Sequence, residues 1–235
     1  MRENPPEFHP VDPAGWPRKP YFDHYYHAVR CTHSTTATVG AGSLLAACRA
    51  RKIKFYPAMI HIIASAVNGI EEMRTCRNAD GELGVWNFMS PLYAVFHAGT
   101  KTFSNIWTTY DGDFSRFHKR YLDDAAAYGD RPEFFPKPSM PDNTFPVSCL
   151  PWVAFSAFNL NVFSDGDYLR PIVTIGRFSE ADGDALVPVA LQAHHALCDG
   201  YHVGAFFEKV SALAESAEHW IDGRVPDAVR KDEPW

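Results

Sequence analysis

Cysteine is scarce and carries no pattern: the five residues (Cys31, Cys48, Cys76, Cys149 and Cys198) are odd in number, scattered and free of any Cys-x-x-Cys spacing. That excludes a disulfide framework or a cysteine zinc site as the organising feature, and reduced thiols are expected. Basic charge is also short, with 22 Lys and Arg against 28 Asp and Glu and a formal net charge of -6. No basic stripe is available to neutralise phosphates, so nucleic acid is not an expected partner. No apolar run is long enough to span a membrane, and Met1-Arg2-Glu3-Asn4-Pro5-Pro6 lacks a signal-peptide core, so the expected location is the cytoplasm. Internal repeats, low-complexity tracts and linkers are missing too. What is there is 46% apolar, 14% aromatic and 21% charged, the composition of a compact soluble protein, and we expect one domain over residues 1–235.

Proline punctuates the start. Pro5, Pro6, Pro10, Pro13, Pro17 and Pro20 predict an extended arm over 1–20, and the polar residues 222–235 predict a loose tail. Between them, the threonine-rich segment Cys31 to Val39 predicts a strand, after which Ser43 is placed to cap a helix reaching about Lys52. Phe55-Tyr56-Pro57 opens a second helix with a core stripe of Ile60, Ile63, Ala64, Val67 and Ile70. Short strands are expected near 74–77 and 82–86 around the turn Ala79-Asp80-Gly81, and further strands near 92–96 and 102–107. A helix over 111–128 and a proline-broken loop over 131–146 follow. Strands over 170–178 and 184–195 are joined by the hairpin 179–183, and a closing helix, 201–221, carries Val203, Phe206, Phe207, Val210, Leu213, Ala214, Ala217 and Trp220 as a core stripe.

The stretch Leu186 to Phe207 is the most informative. An apolar strand runs into His194-His195, the turn Asp199-Gly200 follows, and an apolar helix begins at once. An imidazole, with an unperturbed pKa of about 6.5, can wait neutral near pH 7 and still accept a proton, as a general base must. Asp199, four residues on and across a turn, is placed to brace the turn through a distant cation rather than to contact that ring. Elsewhere, His24 and His27 are three apart and share a helical face, but no carboxylate or cysteine completes a metal ligand set.

This stretch resembles the His-His-x-x-x-Asp-Gly signature of the coenzyme A-dependent acyltransferases, and His-His-Ala-Leu-Cys-Asp-Gly-Tyr-His-Val is similar to the chloramphenicol acetyltransferase family in particular. Trp16-Pro17-Arg18-Lys19, Lys54-Phe55-Tyr56-Pro57-Ala58, Val147-Ser148-Cys149-Leu150-Pro151-Trp152 and Ser156-Ala157-Phe158-Asn159-Leu160-Asn161-Val162 extend the likeness over about residues 8–221, in order and at family spacing. The resemblance implies an α/β fold, an α+β two-layer sandwich in which a mixed β-sheet is flanked by helices. It also implies a homotrimer with active sites between subunits.

By the same resemblance, His195 is the general base and His194 structural, Arg18 pairs with Asp199 behind the catalytic turn, and Ser148 donates to the oxyanion of a tetrahedral intermediate. A backbone carbonyl is expected to fix the tautomer of His195. Tyr25, Cys31, His33, Phe103, Asn105, Phe135, Phe158, Leu160 and Thr174 fall at acceptor-pocket positions, Thr174 as a water-binding threonine. Lys54, Tyr56, Trp152, Arg177 and Phe178 fall beside coenzyme A. His33 replaces the expected Phe or Tyr, Asn105 is more polar than the family pattern, Asn159 replaces an aspartate, Phe178 replaces a tyrosine, and Pro146 alters the pocket. No permanently bound cofactor or metal is implied; acetyl-coenzyme A is a co-substrate, and the acceptor is chloramphenicol or a similar small alcohol. A dihydrolipoyl acyltransferase core, which shares the motif but acylates a thiol, and a non-catalytic ligand-binding homologue are the other readings.

Overall fold

A computed structural model describes residues 5–223 except 163, 165, 182 and 183, so the expected tail lies almost wholly outside the described residues. The chain runs β1 (Phe8–Pro10), α1 (Lys19–Phe22) continuing as a π-helical turn over Asp23–Ala28, β2 (Thr32–Gly40), α2 (Gly42–Arg51) and α3 (Phe55–Asn68). A 3-10 turn at Glu71–Met73 leads to β3 (Thr75–Arg77), β4 (Leu83–Trp86), β5 (Ser90–His97), β6 (Thr102–Trp107) and α4 (Phe114–Tyr128). Then come β7 (Thr144–Leu150), β8 (Ile172–Gly176), β9 (Ser179–Ala181), β10 (Asp184–His194), α5 (Gly200–Glu215) and α6 (Ala217–Trp220).

The main sheet is ordered β2-β10-β8-β7-β5-β6, with β9 folded onto β10. The β5–β7 and β7–β8 pairs are parallel and the others antiparallel, so the sheet is mixed, as expected. One face is covered by α2, α3, α4 and α5. The helix α3 buries every residue from Pro57 to Val67, which is why its sequence is apolar nearly all round rather than on one stripe. On the sheet's other face, period-2 alternation and the strand register set Thr36, Ala190, Thr174 and Ser148 in one cross-strand row. Parallel neighbours cannot be joined by a tight turn. The connection from β7 to β8 therefore crosses back over this second face, where the Phe158 amide donates to Thr36 Oγ1 (3.2 Å) and Ser34 Oγ donates to Asn159 Oδ1 (2.7 Å). Gly176 permits that approach: a Cβ there would lie 2.8 Å from the Phe155 ring and 3.0 Å from the Val153 carbonyl.

Several local expectations are corrected. The arm is not merely extended: β1 pairs with β4, which also pairs with β3, in a separate three-stranded sheet. Gly84 admits β1, since a Cβ there would lie 2.6 Å from the His9 carbonyl oxygen and 2.4 Å from the Phe8 ring. Ser43 does not cap α2; Ala41 is the N-cap residue and makes no side-chain cap bond, while the Asp184 carboxylate lies against Gly42 at the helix start. The α4 helix starts three residues later than expected, capped by Asp113, whose side chain accepts from the Arg116 amide. The loop after α4 ends earlier than Pro146 because β7 begins at Thr144, and part of the 179–183 hairpin is itself β9, its Asp182-Gly183 turn lying outside the described residues. The closing helix breaks at Ser216 into α5 and α6. Among the described residues no helix is long and apolar enough to cross a membrane.

The core also takes in a buried base, His61. His61 on α3 is fully buried among Phe114, Phe117, Tyr110 and Trp220, and its Nε2–H donates to the Asp111 carbonyl (2.9 Å). Burial, only partly countered by that carbonyl and by the Asp111 and Asp113 charges, pulls its pKa down to about 4. The folded value lies below the unfolded one, so the unfolded chain binds the extra proton first and stability falls as pH drops from about 6.5 towards 4. Urea unfolding should show a loss of about 2 kcal/mol between pH 7 and pH 5 from this group. In His61→Gln, which cannot titrate, that part of the pH dependence should vanish. A second expectation concerns Gly84→Val, which should detach β1, lower stability by about 1–3 kcal/mol and speed hydrogen exchange at the Val11 and Asn87 amides.

Candidate active site

The catalytic turn is built at the C-terminal end of β10. His194 is the last strand residue, paired with Thr32, and it is buried. Its Nδ1 accepts from the Ala196 amide (3.1 Å), and burial foremost holds its pKa below the ordinary histidine value. The next residue, His195, leaves the ladder but keeps one backbone bond, its amide donating to the Cys31 carbonyl at 2.9 Å. Its ring is half-buried and lies flat on Tyr25, with centroids 4.0 Å apart and planes within 6°. The His33 ring meets its side at 5.2 Å, edge-on, and is itself fixed by Nε2–H donation to the Cys198 carbonyl (3.1 Å). Tyr25 is thus a floor for the imidazole, a role more intimate than general pocket lining.

One expectation at this ring is corrected. The backbone-carbonyl bond that was to fix the tautomer is not formed; Nδ1 of His195 is buried with no hydrogen-bond partner. Ring orientation rests on the Tyr25 stack and the His33 edge.

Arg18 holds the backbone of the same turn. Its Nε donates to the Ala196 carbonyl (3.1 Å), its Nη2 reaches the His195 carbonyl (3.5 Å), and its Nη1 lies 3.1 Å from Asp199 Oδ2. Arg18 is 13% exposed and Asp199 38%, so the pair is partly desolvated. Burial of Asp199 works against its ionisation. The hydrogen bond and charge of Arg18, with the hydrogen bond from the Tyr201 amide, outweigh it and keep the carboxyl below the usual range. Asp199 also caps α5, its Oδ1 accepting from the Tyr201 amide (3.1 Å). The sequence expectation saw Asp199 only as a partner of the cation. It missed the cap, although Asp199-Gly200 before an apolar helix is a cap signal.

The acceptor-pocket candidates fall into two groups. Tyr25, Cys31 and His33 surround His195. Ser148, Thr174, Phe103 and Asn105 lie on the open face of the sheet: Ser148 pairs with Thr174, Asn105 with Ala94 and Phe103 with Phe96. Phe158 and Leu160 belong to the crossing connection over that face, with Leu160 43% exposed. Phe135 is exposed beside Phe134, on a loop pinned to β6 by the Asn105 amide and by Ser104 Oγ.

These groups do not meet within one chain. Ser148 shares a row with Ala190, and His195 stands five residues further along β10 and two strands across. At about 3.4 Å per residue and about 4.8 Å per strand, the two α-carbons are about 20 Å apart. Side chains of serine and histidine cannot close that gap.

Of the coenzyme candidates, Lys54 is exposed at the start of α3, and Phe178 approaches Phe55 at 6.3 Å. Arg177 is exposed, and Trp152 is 60% exposed and meets Phe96 edge-on. Tyr56, on the face of α3 against β5, is half-buried: its hydroxyl donates to the Ala94 carbonyl, its ring packs on Tyr93, and burial foremost raises its pKa well above the tyrosine norm. Among the described residues no group of three or more His, Cys, Asp and Glu side chains is gathered as a metal site.

The comparisons agree with this geometry. The family model described as Chloramphenicol acetyltransferase matches residues 6–211. A chloramphenicol acetyltransferase from Clostridium perfringens is 46% identical over 92% of this chain and 98% of its own length. One from Bacillus pumilus is 42% identical over 87% of this chain and 93% of its own. A solved chloramphenicol acetyltransferase superposes with a TM-score of 0.78 at 20% identity, covering 88% of this chain and all of its own. A solved Azotobacter vinelandii dihydrolipoamide acetyltransferase shares the fold with a TM-score of 0.62 at 13% identity, over 81% of this chain and 84% of its own. By the extent and identity of these matches, the chain belongs to the chloramphenicol acetyltransferase family.

Proposed function

We propose that this protein moves the acetyl group of acetyl-coenzyme A directly onto a hydroxyl of chloramphenicol, as a cytoplasmic homotrimer that confers resistance to the drug. The observation that carries the reading is a half-buried imidazole, His195, held by a flat Tyr25 contact and by a backbone gripped by Arg18, in a chain of this family. With Nδ1 buried, Nε2 is the nitrogen left for proton transfer. It takes the proton of the acceptor hydroxyl as that oxygen attacks the thioester carbonyl. The resulting oxyanion accepts a hydrogen bond from Ser148, the carbon–sulfur bond breaks, and the imidazolium returns the proton to the departing thiolate. No acetyl-enzyme is formed, and the charge made in the first half of the step is discharged in the second.

The separation of His195 and Ser148 within one chain supports sharing of sites between subunits. The open sheet face carries Ser148 and Thr174, and an apolar surface of Phe96, Phe103, Phe134, Phe135 and Trp152 adjoins it. Exposed aromatic surface of that extent supports burial against another copy. A neighbour's His195, brought to this face, would complete the site, with Lys54, Arg177 and Phe178 left for the coenzyme.

Thiol release from acetyl-coenzyme A should require chloramphenicol, and His195→Ala should lower kcat by about 10²–10⁴-fold while leaving coenzyme affinity unchanged. Folded protein that releases no thiol with the drug, or a His195→Ala variant near wild-type turnover, would overturn the reading. For the shared site, His195→Ala and Ser148→Ala chains unfolded and refolded together should regain activity that neither has alone, about a quarter of wild type for random mixing in a cyclic oligomer. A mixture no better than its components would place the whole site within one chain.

A further inference from the structure

Behind the Arg18–Asp199 pair the contacts continue into a part of the molecule that the histidine motif does not reach. His202, three residues after Asp199 and 10% exposed, faces it across the first turn of α5. Its Nδ1 is 3.1 Å from the Asp199 amide nitrogen and 2.9 Å from Asp199 Oδ1. On the far side of the ring, Nε2 is 3.3 Å from Oε1 of Glu72, a residue of the 3-10 turn that follows α3. The hydrogen bond from His202, foremost, keeps the Glu72 carboxyl below the usual range. The result is an alternating row: Glu72 carboxylate, His202 imidazole, Asp199 carboxylate and Arg18 guanidinium. Its last member holds the carbonyls of His195 and Ala196.

The proton inventory gives the row a direction. A carboxylate only accepts, so Glu72 requires a hydrogen on His202 Nε2. A neutral imidazole then has Nδ1 free of hydrogen, and Nδ1 accepts from the Asp199 amide, closing the reciprocal capping box of α5. On the Nδ1 side the Asp199 amide is a donor and Oδ1 an acceptor, so that side does not choose between tautomers; the other neutral tautomer would donate to Oδ1, give up the bond from the amide and leave Glu72 facing a bare nitrogen. Glu72 thus selects the tautomer that fixes the backbone of Asp199, and with it the carboxylate to which Arg18 is tied. Three elements distant in sequence meet here: the arm through Arg18, the end of α3 through Glu72 and the start of α5 through His202.

We propose that Glu72 and His202 are positioning residues for His195, with Glu72 fixing the His202 tautomer so that Asp199 and Arg18 hold the catalytic turn in place. The proposal rests on His195 being the base of the acetyl transfer, and its test separates the two. In uniformly labelled protein without substrate, long-range ¹H–¹⁵N spectra should show His202 as the Nε2–H tautomer. Glu72→Ala should shift it to a mixture and move the His195 ring signals, although Glu72 does not touch that ring. In turnover with chloramphenicol, Glu72→Ala should lower kcat by about 5–30-fold with the KM for acetyl-coenzyme A unchanged, and should add almost nothing in an Asp199→Ala background. Unchanged His202 and His195 signals, a kcat within twofold of wild type, or the same loss in the Asp199→Ala background would each overturn it. Should Glu72→Ala not fold, Glu72→Met, which keeps the bulk and removes the acceptor oxygens, is read by the same criteria. Wild-type protein with the expected spectra and no acetyl transfer would overturn the function proposed for the site; the spectra alone would then decide the tautomer assignment.

Discussion

The grip of one guanidinium on one turn is the constraint on which the rest depends. A strand that ends in two histidines must release its backbone from the ladder, and a freed backbone moves. Arg18 prevents this by donating to two successive carbonyls and to the Asp199 carboxylate at once. The rigid fork of an arginine suits such a task, since one planar group serves several acceptors in fixed geometry. Because the pair is partly desolvated, neither charge could be removed without stranding the other. Asp199 serves the helix as well, accepting from the first turn of α5, so the ion pair, the helix start and the position of His195 stand or fall together.

The sheet supplies the other half of the arrangement. Its helix-covered face is a conventional core, with α3 buried along nearly its whole length. Among the described residues the opposite face has no helical layer. Parallel pairing of β7 with β8 forces a connection across it, and that connection lays Phe158 over β2 rather than sealing the sheet to its edge. The β5 and β6 end is left with exposed aromatic side chains. That face carries Ser148 but not His195. Their separation is a consequence of strand order rather than of any single residue.

Legibility from sequence varied with the range of the interaction. The strand into His194-His195, the apolar helices and the Ala79-Asp80-Gly81 turn rest on neighbours a few residues apart, and period and turn chemistry report them. Gly81 has a φ of +83°, as a glycine in such a turn permits. The cap of α2 was misread because Ser43 looks suited to it, whereas a carboxylate from Asp184, far along the chain, occupies that end. β1 was read as plain arm because three residues carry no periodicity, and only the space above Gly84 makes a strand of them. The bond from the Tyr56 hydroxyl to the Ala94 carbonyl likewise depends on how α3 packs on β5, which no short-range pattern reports.

By itself the sequence determined the chemistry: which side chain can exchange a proton near neutral pH, and which segments are strand or helix. Those properties belong to residue types and to short-range periodicity. Tertiary structure alone decided that Tyr25 lies flat against His195, that Glu72 reaches Asp199 through His202, and that Ser148 lies far from His195 in its own chain. The reason is physical. Such contacts are set by strand order, register and the direction in which a helix presents its face, and these emerge only when distant segments pack into a common core.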